Sequence, residues 1–119
     1  MRSVTDQTGR SITIPDSPKR IISIVPSQTE LLFDLGLSDE VIGITKFCVH
    51  PEEWFRKKTR VGGTKQLNME TIRSLQPDLI VANKEENEQV QVEDIAKEFP
   101  VWISDIKTLS DAKRMILEP

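Results

Sequence analysis

A cysteine and a histidine two positions apart are the residues of this chain best suited to metal or nucleophilic chemistry. Cys48 and His50 lie within residues 46–58, a stretch without a regular apolar period that predicts an irregular loop. A zinc site needs three or four ligands, and with one Cys and one His in the chain, carboxylates such as Glu52 and Glu53 would have to complete it. A catalytic thiol would need its base within hydrogen-bond reach. The pattern therefore favours a loop thiol beside a turn histidine over a metal site or a catalytic pair.

Two other groups of residues carry weaker functional signals. The segment Gly62-Gly63-Thr64 lacks the lysine and the spacing of a phosphate-binding loop, which favours a tight turn with positive φ; close approach of the backbone to a ligand is the alternative. The carboxylates of Glu85, Glu86 and Glu88 are typical of the solvated start of a helix, where the helix dipole stabilises negative charge. Because the chain has neither a phosphate loop nor a credible acid–base pair, we expect it not to be an enzyme.

The composition indicates one globular domain of ordinary size. The chain has 119 residues, of which 37% are hydrophobic and 29% charged, and its net charge is -3. This acidic balance gives no support for nucleic-acid binding, which needs clustered Lys and Arg, and the basic residues 56–60 are predicted to form a solvated turn. No apolar run approaches the ~20 residues of a membrane-spanning helix. Residues 1–6 lack the apolar core of a secretory signal.

The clearest structural signal is a short helix that stops at a Pro-Asp turn and leads into a buried strand. Residues 68–75 place apolar side chains at helical spacing, and Asn68 is a good N-cap for them. Pro77 cannot continue the helix and is predicted to bias Gln76 towards an extended backbone. Residues 79–82 form a continuous apolar run, which is typical of a parallel strand covered on both faces.

The same alternation of strands and helices runs along the whole chain. Residues 3–6 and 11–14 flank Gly9 and predict a β-hairpin. Among the aromatic residues, Trp102 is expected to lie in the core. Trp54 and Phe55 are interpreted either as lid aromatics or as packing residues. Further strands are predicted over residues 21–25, 41–45 and 100–103, one helical turn at 51–54, and helices from Ser27 or Thr29 to Leu35, from about Asn87 to Phe99 and from Leu109 to Leu117. We therefore predict an α/β, three-layer Rossmann-like lobe with a mostly parallel sheet plus the N-terminal β-hairpin. In such sheets ligands bind outside the carboxyl ends of the strands.

Several short segments, in this order and spacing, resemble a known family. They are Pro18-Lys19-Arg20-Ile21-Ile22-Ser23, Pro26-Ser27-Gln28-Thr29-Glu30-Leu31, Leu35-Gly36-Leu37, Val41-Ile42-Gly43-Ile44-Thr45, Val61-Gly62-Gly63, Asn68-Met69-Glu70 and Leu75-Gln76-Pro77-Asp78-Leu79-Ile80. Together they resemble the amino-terminal lobe of periplasmic substrate-binding proteins of the helical-backbone class. Those proteins feed ABC importers of vitamin B12, ferric siderophores and haem, and the cobalamin-binding branch is the most similar.

The resemblance implies a ligand-binding cleft built by the loops that follow the strands. Phe47 falls where a cobalamin binder presents an aromatic ring to the corrin, whereas Thr64 stands where that binder has a tryptophan, so the aromatic clamp is thinner here. Glu70 matches the glutamate that docks onto arginines of the membrane permease; a simple helix-dipole partner is the alternative. The implied ligand-binding residues are Pro26, Ser27, Gln28, Phe47, Cys48, Gly63, Thr64 and Asn83.

The family pattern also includes a second lobe and a connecting helix, which would begin near residues 111–117. We therefore expect residues 1–119 to be a single lobe of a longer solute-binding protein, with dimerisation as another source of the second wall. The expected ligand is cobalamin, haem or a ferric siderophore, carried as cargo without a cofactor. The intact protein is then expected to be periplasmic or lipid-anchored. The alternative is a cytoplasmic interaction or regulatory module that keeps the lobe without transport.

Overall fold

The chain folds into a parallel α/β sheet with a separate β-hairpin. The computed structural model describes residues 2–5, 9, 11–14, 18–25, 32–33, 36, 39–45, 52–63, 67–83, 87 and 89–104. The described strands are β1 (Arg2–Thr5), β2 (Ser11–Ile14), β3 (Ile21–Ser23), β4 (Val41–Ile44), β5 (Thr59–Arg60), β6 (Leu79–Asn83) and β7 (Val101–Ser104). The described helices are α1 (Glu52–Lys57), α2 (Met69–Leu75) and α3 (Gln89–Ala96), and Leu32 and Phe33 are also helical.

Within the described residues, five strands form one parallel sheet in the order β5-β4-β3-β6-β7. This confirms the predicted α/β class and its mostly parallel sheet. The antiparallel hairpin of β1 and β2 is also confirmed, with Arg2 opposite Ile14 and Gly9 at a φ of 89°.

Both faces of the sheet are covered. Successive side chains of a strand point to opposite faces, and Ile21 and Ile22 accordingly belong to two different core clusters. The first cluster joins the sheet to Ile14 of the hairpin, to Leu32 and to Trp54 of α1. The second cluster joins it to Ile72 of α2 and to Val92 and Ile95 of α3. The sheet is therefore the middle of three layers.

Helix α2 packs closely on the sheet and ends as its sequence predicts, with one correction. The Asn68 side chain accepts a hydrogen bond from the Thr71 N–H, as an N-cap should. A Cβ on Gly43 of β4 would stand 3.0 Å from a methyl carbon of Leu75, so the glycine permits this approach. The prediction of an extended Gln76 is wrong: it is left-handed, with φ 49° and ψ 61°. In this conformation its N–H reaches the Arg73 carbonyl and closes the helix.

The segment that leads to β5 contains the predicted helical turn near residues 51–54, but it is more regular than the predicted loop. Residues Glu52–Lys57 form helix α1, and Thr59–Arg60 pair in parallel with β4 as a short edge strand. The basic residues 56–60 are thus the end of a helix and a strand rather than a turn. Helix α1 is held in place by Trp54, whose side chain is 1% exposed and packs in the core. Packing, and not a lid, is therefore the role of Trp54, whereas the side chain of Phe55 lies outside the described part.

Helix α3 and strand β7 complete the described sheet. Helix α3 spans Gln89–Ala96 and is shorter than predicted, because residues 97–99 turn towards β7. Trp102 is buried, as expected of a core residue. The predicted helix from Leu109 to Leu117 lies outside the described residues. Within the described part of the chain, none of the helices has the length and apolar character that crossing a membrane demands.

Two sequence segments meet at the amino-terminal ends of β3 and β6. The Asp78 carboxylate accepts hydrogen bonds from the backbone N–H groups of Lys19 (2.9 Å) and Arg20 (3.0 Å). The Arg20 guanidinium in turn donates to the carbonyls of Leu75 and Gln76 at the end of α2. These contacts, which we call the amino-edge clamp, set the register of the two central strands.

Candidate functional site

The strand order creates a topological switch point at one edge of the sheet. All five strands run in the same direction, so their carboxyl ends lie together at what we call the carboxyl edge. The chain moves from β3 outward to β4 and β5, then returns to the centre and moves outward again from β6 to β7. The connections that leave β3 and β6 therefore diverge to opposite sides. Open α/β sheets bind ligands at such a switch point.

Buried polarity is concentrated at this edge. The buried polar residues in the described ranges are Ser23, Thr45, Asn83 and Asn87, and all four stand at or just after the end of β3, β4 or β6. The Ser23 hydroxyl donates to the Val25 carbonyl at 3.2 Å. Buried polar groups require hydrogen-bond partners. At this edge, the described partners of the Ser23 and Asn87 side chains are backbone groups at or just after the ends of β3 and β6.

The Asn87 side chain ties the two central strands together at the switch point. Its amide oxygen accepts from the Asn83 N–H at 2.8 Å, and its amide nitrogen donates to the Ile24 carbonyl at 3.0 Å. The Asn87 N–H also donates to the Asn83 carbonyl at 3.1 Å, which closes the turn after β6. One buried side chain thus joins the segment after β3 to the segment after β6.

The loop after β5 is closed on itself and fastened to α3. The Asn68 N–H donates to the Val61 carbonyl at 2.7 Å, and Gly62 forms an antiparallel bridge with Leu67. Gly62 has a φ of 108°, which confirms the predicted positive-φ turn. The Leu67 N–H donates to the side-chain oxygen of Gln91 in α3 at 2.9 Å. The described parts of this loop are thus closed on themselves and bonded to α3.

Glu70 lies beside the same edge in the first turn of α2 and is exposed. The cation one turn further along, Arg73, makes two 2.8 Å hydrogen bonds to the Glu98 carboxylate. These hydrogen bonds raise the pKa of Arg73 and lower the pKa of Glu98. The Glu70 carboxylate also raises the pKa of Arg73, as the smallest of the contributions, through its charge and without a described hydrogen bond.

Of the residues predicted to bind ligand, the structure describes Gly63 and Asn83. Both are buried at the carboxyl edge, Gly63 in the loop after β5 and Asn83 at the end of β6. Pro26, Ser27, Gln28, Phe47, Cys48 and Thr64 lie outside the described residues, as do His50 and the Glu85, Glu86 and Glu88 group. Among the residues that are described, no group of three His, Cys, Asp or Glu side chains could hold a metal ion.

Asn87 and Gln91 were missed as site residues. The sequence marks Asn87 only as the approximate start of a helix and Gln91 only as one of its polar residues. Their contacts to Ile24 and Leu67 join positions 63 and 24 residues apart. The one signal in the sequence was an asparagine just beyond a buried strand, and this position did not indicate which backbone group its side chain would bond.

A family model described as periplasmic binding protein matches residues 21–113, which include the whole parallel sheet. The chain belongs to the periplasmic binding protein family. The match covers both central strands and the connections that diverge from them, and these are the features that define the switch point at the carboxyl edge.

Known members of the family show what this periplasmic binding protein is similar to. It is 38% identical to an uncharacterised ABC transporter substrate-binding lipoprotein, YvrC of Bacillus subtilis, over 69% of this chain and 26% of the relative. It is 35% identical to the vitamin B12-binding protein of Pectobacterium carotovorum over 79% of this chain and 34% of the relative. The chain thus spans about a quarter to a third of the length of these relatives.

The solved structure of Staphylococcus aureus SirA, complexed with staphyloferrin B, has the same arrangement. It superposes with a TM-score of 0.78 at 26% identity, over 97% of this chain and 41% of SirA.

Proposed function

We propose that this chain is one lobe of the solute-binding component of an ABC importer. It would take a cobalamin-, haem- or ferric siderophore-type ligand against the carboxyl edge and deliver it to a membrane permease, without chemistry of its own. The observation that carries this proposal is the switch point between β3 and β6, held by Asn87, in a chain of the periplasmic binding protein family. The ligands named for the similar proteins, vitamin B12 and staphyloferrin B, support this class of cargo.

The ligand contacts in this proposal come from the post-strand loops. Gly63 and Asn83 are held at the carboxyl edge, and Phe47 would supply the flat apolar surface that suits a macrocycle. The remaining proposed contacts are Pro26, Ser27, Gln28, Cys48 and Thr64.

Glu70 is the proposed contact to the permease. A carboxylate can accept two parallel hydrogen bonds from an arginine, and the exposure of Glu70 beside the carboxyl edge suits that role. The two hydrogen bonds from Arg73 to Glu98 support it further, because they occupy donors of the neighbouring guanidinium.

A single lobe supplies one wall of a cleft, so the proposal includes a second wall. We place it in a second lobe of the same polypeptide, with a dimer of this lobe as the alternative. The intact protein would act outside the cytoplasm, either in the periplasm or held at the membrane surface by a lipid.

The test is a calorimetric titration of the intact, full-length protein with cyanocobalamin, haemin and a ferric siderophore, each repeated on two matched variants. Phe47→Ala is expected to weaken binding of the ligand that the wild type takes by roughly tenfold or more, because aromatic anchors dominate such interfaces. Phe33→Ala is the control. Phe33 is 42% exposed, packs edge-on against Trp54 with ring centroids 5.5 Å apart, and is not one of the proposed ligand contacts.

Equal affinity of the wild type and Phe47→Ala would remove Phe47 from the cleft. Failure of the wild type to bind any of the three ligands, while its circular dichroism remains that of a folded protein, would reject the proposed cargo.

A further inference from the structure

Two amide side chains from one short segment contact the backbone at or just after the ends of three different strands. Asn87 bonds to Ile24, just after β3, and to Asn83, the last residue of β6, and Gln91, one helical turn later, bonds to Leu67 in the loop after β5. The loops that leave these three strands begin at the carboxyl edge. These side-chain bonds add to the pairing of the strands themselves.

We propose that Asn87 and Gln91 form a brace that positions these three loops for ligand binding. The inference rests on the proposed function, since it assumes that the carboxyl edge receives the ligand. Neither residue needs to touch the ligand. Each acts through the backbone of a loop that does.

The brace at Asn87 begins where the sheet ends. Strands β3 and β6 pair from Ile21 opposite Leu79 to Ser23 opposite Val81, and the Ile24 N–H makes one more bond to the Val81 carbonyl. The described pairing between the two strands ends at that point. The Asn87 amide spans the gap with one acceptor and one donor. It is 5% exposed, and a buried amide that lost either partner would pay a desolvation cost.

The brace at Gln91 holds the loop after β5 from outside. The Gly62–Leu67 bridge closes the loop, and the Leu67 N–H points out of it to the Gln91 oxygen at 2.9 Å. Leu67 and Gln91 are both half-buried, so water competes only weakly for this bond. The bond fixes the loop to α3, whose buried face is anchored in the core by Val92 and Ile95.

The expected benefit is pre-organisation. A loop that is ordered before binding loses less conformational freedom when the ligand arrives, and the gain in affinity appears mainly as slower dissociation. Loss of the brace should therefore change ligand release without changing the fold.

The decisive comparison is Gln91→Ala against Gln89→Ala. Both residues lie in α3, and both substitutions replace glutamine by alanine, so their effect on helix propensity is the same. Among the described residues, however, the Gln89 side chain bonds to Glu93 of its own helix and not to a loop. Amide hydrogen exchange of Leu67, measured by NMR in the protein without ligand, should become roughly five- to tenfold faster in Gln91→Ala, the factor that one net hydrogen bond allows. It should not change in Gln89→Ala. Gln91→Glu keeps an acceptor oxygen and should restore the protection of Leu67.

The second readout is the dissociation rate of bound cyanocobalamin, haemin or ferric staphyloferrin B. It should rise several-fold in Gln91→Ala and stay near the wild-type value in Gln91→Glu and Gln89→Ala. Asn87→Asp keeps the acceptor for the Asn83 N–H but loses the donor to the Ile24 carbonyl, and it should also speed dissociation. If that variant does not fold, the Gln91 series decides alone.

The outcomes separate the two proposals. Unchanged Leu67 exchange in Gln91→Ala overturns the brace, and so does faster exchange with unchanged ligand dissociation, because Gln91 would then be merely structural. If the wild type binds none of the three probes, the proposed function is rejected. The positioning role of Asn87 and Gln91 is then rejected too, because it depends on that function. That failure is seen before any variant is made.

Discussion

The two edges of the sheet use polar side chains in different ways. At the amino edge, Arg20 and Asp78 are exposed or half-buried, and their side chains bond to backbone atoms at the ends of regular elements. At the carboxyl edge, Asn83 and Asn87 are buried, and the Asn87 side chain bonds to the backbone of the last residue of β6 and of Ile24, just beyond β3. One set of contacts fixes the strands, whereas the other shapes loops.

This difference changes how the family motifs should be interpreted. The segments that contain Arg20 and Asp78 are among those that make the resemblance recognisable, yet both residues act at the end of the sheet opposite the proposed ligand site. We infer that these motif residues specify the fold. In the proposed function, ligand choice would depend on the loops that follow the strands, and the sequence departs from the cobalamin-binding pattern at Thr64.

The largest effect in this comparison is expected from Asp78→Ala. The change leaves the Lys19 and Arg20 N–H groups without their acceptor, and it should lower the free energy of unfolding by about 2 kcal/mol. Urea denaturation measures this loss. Asp94→Ala is the control, because Asp94 is exposed and faces only Lys97 at 3.6 Å; it should change stability by less than about 0.5 kcal/mol. A ligand affinity that falls in the still-folded Asp78→Ala protein would break the division between the two edges.

A smaller effect is expected from Arg20→Lys. The guanidinium reaches two carbonyls at the end of α2, and a lysine ammonium has no fork with which to match both. Stability should fall by about 1 kcal/mol, again measured by urea denaturation. Lys19→Ala is a matched control one residue away, since Lys19 contributes its backbone N–H and not its side chain to the clamp. If the two variants lost the same stability, the side-chain half of the clamp would contribute nothing.

The smallest effect concerns the exposed pair of Arg73 and Glu98, which also lies towards the amino edge. The pKa of Glu98 in the folded protein lies below its usual value of 4.5 because Arg73 donates two hydrogen bonds to it. A depressed carboxyl pKa adds stability above its unfolded value, and this contribution is lost as the pH falls through the folded pKa. The stability difference between the wild type and Glu98→Gln, followed by urea denaturation, should therefore be present at pH 7, shrink below about pH 4.5 and weaken with salt. A difference that persists at pH 2 would mean that Glu98 acts through packing.

Local patterns predicted the elements well wherever one residue decides a local geometry. Asn68 caps α2, Gly62 provides a positive φ, and the apolar run of β6 is buried along its full length. The local rule failed at Gln76, where closing the helix and receiving the Arg20 guanidinium outweighed the preference of a residue before proline. It also failed for residues 56–60, because the pairing of β5 with β4 is not encoded in the basic residues themselves.

The candidate site was predictable only in outline. Parallel strands imply a common carboxyl edge, and the family resemblance indicated which loops to consider there. The brace was not predictable, because Asn87 and Gln91 are ordinary polar residues until the chain brings Ile24 and Leu67 to them.

By itself the sequence determined the class of the fold, the faces of its helices and strands, and the family. These properties depend on spacings within a few residues, where sterics and burial act directly on the local chain. The tertiary structure alone decided which backbone groups the polar side chains would meet, as Asp78 meets Arg20 from 58 residues away and Asn87 meets Ile24 from 63. Such contacts form only after the sheet has closed, since their partners are brought into reach by the packing of the whole core.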